Sequence, residues 1–126
     1  MSTDVSASCH CGSVRLEVDA PPSEVTECNC SLCRRYGILW AYYPPRQVRM
    51  VPADPPTDVY MWGGRSIEFH RCRNCGCVSC GCVSHWAAVD RKRNRMAVNA
   101  RLMPQEILAG ARVRHRDGAD TNRYTD

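Results

Sequence analysis

The chain has 126 residues, ten of them cysteine and only one phenylalanine, which allows a single domain with a modest core. Its formal charge of +4 is weak ground for a nucleic-acid partner, and none is expected. The longest apolar stretch, residues 38–43, is too short to span a bilayer, and residues 1–8 lack the apolar core of a signal peptide. The expectation is a soluble cytoplasmic protein without a membrane partner. Thiols stay reduced there, and clustered cysteines read as metal or redox sites rather than disulfides.

The predicted elements are short. Residues 1–8 read as a flexible N-terminus. Val14, Leu16 and Val18 alternate with Arg15, Glu17 and Asp19, the period of a half-buried strand, and Pro21-Pro22 ends it. Short strands follow at 25–28, 38–43 and 48–51. Residues 59–62 and 66–70 flank Gly63-Gly64 as a hairpin. A second hairpin is expected from 83–89 and 96–100, turning at 90–95. The one short helix lies near 104–109, with Pro104 at its start and Gly110 after its end. Residues 113–115 give a last edge strand, and 121–126 a loose tail. Short strands punctuated by Pro and Gly indicate a mainly β domain over residues 9–120. Short edge strands would also allow a homodimer.

Seven cysteines fall in three clusters. Cys9 and Cys11 form C-x-C, Cys28, Cys30 and Cys33 form C-x-C-x-x-C, and Cys72 and Cys75 form C-x-x-C. These spacings suit Zn2+, which takes thiolates at about 2.3 Å in a tetrahedron. Two pairs can close a four-thiolate site, whereas a cluster of three leaves a position open. Closed zinc sites hold folds together and open ones do chemistry. Counting seven thiolates and two Zn2+ lowers the net charge from +4 to +1.

One repeat complicates the third cluster: Cys75-Gly-Cys-Val-Ser79 is followed directly by Cys80-Gly-Cys-Val-Ser84. An added unit of odd length reverses which side chains face inward, so a loop or bulge must absorb it. Cys77 and Cys80 also make C-x-x-C. Cys72 and Cys75 are preferred because Gly76 follows them, letting the backbone turn and aim N–H groups at sulfur.

Together, Cys9-His-Cys-Gly-Ser-Val14, Cys28-Asn-Cys-Ser-Leu-Cys33 and Cys72-Arg-Asn-Cys-Gly76 resemble the glutathione-dependent formaldehyde-activating enzyme family, which also includes the centromere protein V domain. The likeness continues through Val83-Ser-His-Trp86, Val98-Asn-Ala-Arg101 and Asp117-Gly-Ala-Asp-Thr121. It implies a β-tent fold of small antiparallel sheets stapled by zinc. It implies structural zinc ligands at Cys9, Cys11, Cys72 and Cys75, and catalytic zinc ligands at Cys28, Cys30 and Cys33. The implied activity is that of a carbon–sulfur lyase acting on glutathione, or a related thiol, and formaldehyde, or a related aldehyde. The chain departs from the pattern at the repeated unit and after Thr121, where many relatives carry Trp and this one has Asn122-Arg123.

Physical chemistry gives the triple cluster a role of its own. Three thiolates on Zn2+ carry a net charge of −1, and such a metal suits a soft fourth ligand such as a substrate thiol. Arg34 and Arg35 could offset that charge and attract an anionic thiol. The alternative is a non-catalytic zinc-stapled interaction module, its second site closed by Cys77, Cys80 or Cys82. A third reading gives those three cysteines a redox or metal-transfer role. His10, between two ligands, is expected to face away from the metal. His70 and His85 flank the third cluster, and His85 with Trp86 reads more simply as a buried aromatic beside a hydrogen-bonded imidazole than as a pocket wall. Residues 91–95 read as a solvated charge run on a turn. Tyr36, Trp40, Tyr42 and Tyr43 either line a cleft or supply core. Asn99 and Arg101 have no role that the sequence assigns.

Overall fold

A computed structural model describes residues 4–62, 67–83 and 95–126, with the backbone alone at 81–83. The Gly63-Gly64 turn, the 84–89 part of the second hairpin, His85, Trp86 and the charge run up to residue 94 lie outside the described residues. The alternation of Val14, Leu16 and Val18 becomes β2 (Arg15–Val18). It pairs antiparallel with β1 (Val5–Ser8) on one side and β5 (Val48–Val51) on the other. Residues 5–8 of the segment expected to be loose before Cys9 are therefore a paired strand. Val5 and Ala7 bury one face of it, at the alternation that a strand requires.

The second sheet has seven strands, in the order β10-β3-β4-β9-β8-β7-β6. They are β3 (Glu24–Cys28), β4 (Trp40–Tyr43), β6 (Thr57–Tyr60), β7 (Ile67–Cys72), β8 (Val78–Val83), β9 (Met96–Asn99) and β10 (Arg112–Arg116). All neighbours are antiparallel except β10 and β3, which run parallel. β10 is an edge strand, as expected. The helix expected near 104–109 is α2 (Gln105–Ala109), and a second single turn, α1 (Cys33–Tyr36), joins it. The architecture is thus mainly β, with two sheets. Among the described residues no helix is long and apolar enough to cross a membrane.

β4 shows why residues 38–43 are continuously apolar. Leu39, Ala41 and Tyr43 enter the main core with Leu16, Val18 and Val98. Ile38 and Trp40 enter a second core with Phe69, Val78 and Cys33. Successive side chains point to opposite faces, so a strand covered on both sides needs apolar residues throughout. The aromatic residues divide accordingly. Trp40 and Tyr43 are buried, Tyr42 is half-buried and Tyr36 is exposed.

The repeated unit is absorbed by a register shift. His70 faces Cys80, but Arg71 faces Val78, so Ser79 is the extra residue in β8. Val78, Ser79 and Cys80 are buried in succession, which an unbroken strand with one solvent face would not permit.

The C-terminal tail, expected to be loose, is tied down. Tyr124 bridges to Arg116, its hydroxyl lies 2.9 Å from Thr26 Oγ1, and the Arg114 guanidinium stacks 4.0 Å from its ring. An aromatic therefore reaches the sheet from position 124, although 122 and 123 offer none.

Candidate metal centres

Two turns meet to form the first cluster. The β1–β2 connection carries Cys9 and Cys11, and the β7–β8 turn carries Cys72 and Cys75. The two turns belong to different sheets, and all four sulfurs lie within 4.8 Å of one another. Cys11 Sγ is 3.7 Å from Cys9 Sγ and 3.6 Å from Cys72 Sγ. Sulfurs on a tetrahedral zinc ion with bonds of about 2.3 Å stand about 3.8 Å apart, so the spacing fits. The two knuckles match in their backbone. Gly12 N–H donates to Cys9 O at 3.1 Å and Gly76 N–H to Cys72 O at 3.0 Å, with φ of 82° and 81°, a left-handed conformation that glycine adopts without strain. Backbone N–H groups point at sulfur, Val14 at Cys9 (3.3 Å) and Asn74 at Cys72 (3.4 Å). Such donors favour thiolates and orient them for a metal.

The thiols of this cluster differ in acidity. Burial pushes Cys9 up to about 11. The hydroxyl and N–H of Ser13 draw the exposed Cys11 down to about 5. The backbone at Cys77 and Cys11 lowers Cys75 to about 7.

The second cluster forms where β3 ends. Cys28 closes the strand, Cys30 sits in the turn and Cys33 opens α1, with their sulfurs within 4.8 Å of one another. A helix start brings Cys33 back toward the strand end, because Arg34 N–H bonds Cys30 O (3.1 Å) and Gly37 N–H bonds Cys33 O (3.0 Å). The Cys33 N–H donates to Cys30 Sγ and the Trp40 indole Nε1–H to Cys33 Sγ, each at 3.3 Å. Burial opposes ionisation of Cys30, but the Cys33 and Leu32 N–H groups and the neighbouring thiols outweigh it and leave that thiol below its ordinary value. Burial raises Cys28 and pushes Cys33 up to about 12, against the pull of the Trp40 donor. The donor set is all thiol with N–H support, and it fits a thiophilic divalent ion.

No fourth Cys, His, Asp or Glu joins this trio among the described residues. Cys77 packs instead against the four-cysteine cluster, where the backbone N–H of His10 meets its thiol. Cys80 is buried in the main core. The Cys82 side chain lies outside the described residues. His10 itself is exposed. His70 sits between Thr57 Oγ1 (3.1 Å) and Glu68 Oε1 (3.2 Å). Arg34 and Arg35 are exposed, and Arg35 donates to Ser31 O at 2.7 Å.

Several supporting residues were not assigned from the sequence. Asn99, buried, donates to Val78 O at 2.8 Å and accepts from Arg101 N–H at 3.1 Å. The Arg101 side chain in turn donates to Gly37 O, fastening the end of α1. Asn before a helical turn is an ordinary cap signal, and Arg34-Arg35 followed by Gly37 is an ordinary helix end. Both were available in the sequence. Tyr42 is a further neighbour. Burial raises its hydroxyl, Arg95 and Arg116 pull it down, and Cys28 adds to the rise. Two cations therefore lie within electrostatic reach of the ring that also senses Cys28, and Arg95 stacks on it at 4.0 Å.

Comparison with known proteins agrees with this geometry. The fold resembles a crystal structure of a Rhodobacter sphaeroides protein from a structural genomics programme, with a TM-score of 0.66 and 24% identity over 86% of this chain and 98% of that one. Residues 4–109 match the family described as glutathione-dependent formaldehyde-activating enzyme. That stretch takes in all seven clustered cysteines and most of both sheets, so the chain belongs to the glutathione-dependent formaldehyde-activating enzyme family.

Proposed function

We propose that the protein is a zinc-dependent enzyme of the carbon–sulfur lyase type, joining or parting a small thiol such as glutathione and an aldehyde such as formaldehyde. Cys9, Cys11, Cys72 and Cys75 hold a structural zinc ion between the two sheets, and Cys28, Cys30 and Cys33 hold a working one. The observation that carries this reading is the asymmetry of the clusters, four converging sulfurs in one and three in the other among the described residues.

Bound zinc supplies at the triple cluster a site where a substrate thiol gives up its proton near neutral pH, where a free thiol of pKa about 8.5 remains mostly protonated. In the forward direction the sulfur forms a bond to the aldehyde carbon, the carbonyl π pair moves to oxygen, and that oxygen takes a proton. The reverse breaks the carbon–sulfur bond. The chain's contribution is placement. Trp40 Nε1–H and Cys33 N–H fix two of the sulfurs. Arg95 and Arg116, near Tyr42, favour a thiol that carries carboxylates. The seven thiols of the two clusters require a reducing compartment, as the cytoplasm is.

Metal analysis tests the assignment. Two zinc ions per chain are expected, with one lost in Cys30→Ala while the fold persists. Full occupancy in that variant would remove Cys30 from the ligand set. Turnover is tested by coupling glutathione to formaldehyde and following S-hydroxymethylglutathione by NMR. Two bound zinc ions without turnover on any thiol–aldehyde pair would instead favour a zinc-stapled interaction module.

A further inference from the structure

The triple-cysteine turn is held from outside by a segment about ninety positions away. Asn29, between Cys28 and Cys30, donates through Nδ2 to Asp117 Oδ1 at 3.0 Å, and its Oδ1 accepts from the Ala119 N–H at 2.9 Å. The Asn29 N–H donates to Arg116 O at 3.2 Å. Asp117 is itself fixed, because its Oδ2 accepts from Thr121 N–H (3.2 Å) and Thr121 Oγ1–H (3.1 Å). These contacts hold its carboxyl below the usual range, the Asn29 amide first among them.

Between the two clipped positions lies Gly118. A Cβ built on it would stand 2.5 Å from Cys28 Sγ and 3.3 Å from Cys30 Cβ. The first distance is far inside van der Waals contact, so any side chain at 118 must move the sulfur or lift the loop. The backbone of the 117–119 turn therefore lies directly against one of the three sulfurs, and it can do so only as glycine.

We propose that the 117–121 loop is a clamp for the second metal centre. Asn29 and Asp117 act as positioning residues that hold Cys28 and Cys30 at ligand spacing, and Gly118 is the close-approach point that lets the loop seat on Cys28. The inference rests on the reading of Cys28, Cys30 and Cys33 as metal ligands, and adds that their geometry is set by a loop beyond the family-matched residues 4–109. Hydrogen-bond partners of ligand-bearing groups commonly carry about 10- to 100-fold of metal affinity, and the clamp belongs to that class.

Cobalt(II) titration of the full metal-stripped chain tests the clamp, read by the thiolate charge-transfer and d–d absorption bands. The native protein should take up two ions. G118A and N29D should each keep the four-cysteine ion with its native spectrum, which reports an intact fold. Both should bind the second ion about 10- to 100-fold more weakly. N29D places two carboxylates in contact, whereas N29D/D117N exchanges donor for acceptor and keeps both hydrogen bonds, so the double variant should recover the second ion. If G118A does not fold, the N29D and N29D/D117N pair decides. Native affinity and spectrum at the second site in N29D, or equal weakening in N29D and the double variant, would overturn the clamp. A native chain that takes up only one cobalt ion would overturn the ligand reading itself, and the clamp with it.

Discussion

Replacing Trp40 by Phe separates the two jobs of that residue. The side chain is 4% exposed and packs against Phe69, ring centroids 6.1 Å apart. Its Nε1–H reaches Cys33 Sγ at 3.3 Å. Phenylalanine keeps an aromatic ring at the site but removes the donor. A hydrogen bond to a charged acceptor contributes about 1.5–3 kcal/mol, which is about 10- to 150-fold in binding. Cys33 needs that help, since burial already pushes its thiol up to about 12. Chelator competition should therefore show the second zinc ion leaving W40F about 10- to 150-fold more readily, and the four-cysteine ion leaving as in the native protein. The packing loss should appear separately in urea unfolding of the metal-saturated protein, at about 0.5–3 kcal/mol. Lower stability with unchanged release of the second ion would show that the indole N–H does not act on the metal centre.

Other outcomes follow from the same geometry. Cys72→Ala should cost the structural ion and most of the folding stability, because zinc binding free energy is folding free energy at a site that joins two sheets; a cooperative thermal transition at the native temperature would count against it. In metal-stripped protein at neutral pH, iodoacetamide should modify Cys11 first, since it is exposed and its thiol lies at about 5; mass spectrometry reads the order, and zinc should protect it. Cys33 is raised from 9.0 to about 12 in the fold, so the folded chain holds that proton more tightly. The stability this contributes is fully present below about pH 9 and lost as pH rises toward 12, in the metal-stripped protein but not the zinc-loaded one, as unfolding at stepped alkaline pH would show. Leu16→Ala, at a fully buried position of β2, should cost about 2–5 kcal/mol, measured by denaturant unfolding with zinc present.

The tertiary structure explains which elements were hard to read. β1 carries Val5 and Ala7 inward, but only two apolar residues in a polar segment give too little periodicity to stand out. α1 is one turn long, and its stop at Gly37 is local, yet two of its residues are Arg and one is a cysteine of the triple cluster, so helical amphipathicity was absent. The anchoring of Tyr124 depends on Thr26 and Arg114, partners that no local pattern announces. The repeat at 75–84 required a bulge by parity alone, and the register shift at Ser79 supplies it.

Cysteine spacing by itself marked the local groupings, Cys9 with Cys11, Cys28 with Cys30 and Cys33, and a C-x-x-C at 72–75 or 77–80, because neighbouring sulfurs in such turns lie close together, whereas the meeting of Cys9 and Cys11 with Cys72 and Cys75 was decided by the fold. Alternation and turn residues likewise determined a mainly β chain. Distances between segments far apart in sequence had to wait for the fold. It alone decided that Cys77 lies beside the four-cysteine cluster and Cys80 in the main core, that Trp40 reaches Cys33 from the next strand, and that Gly118 seats against Cys28. Contacts of that kind arise from packing between elements, and packing is a property of the assembled chain rather than of any stretch within it.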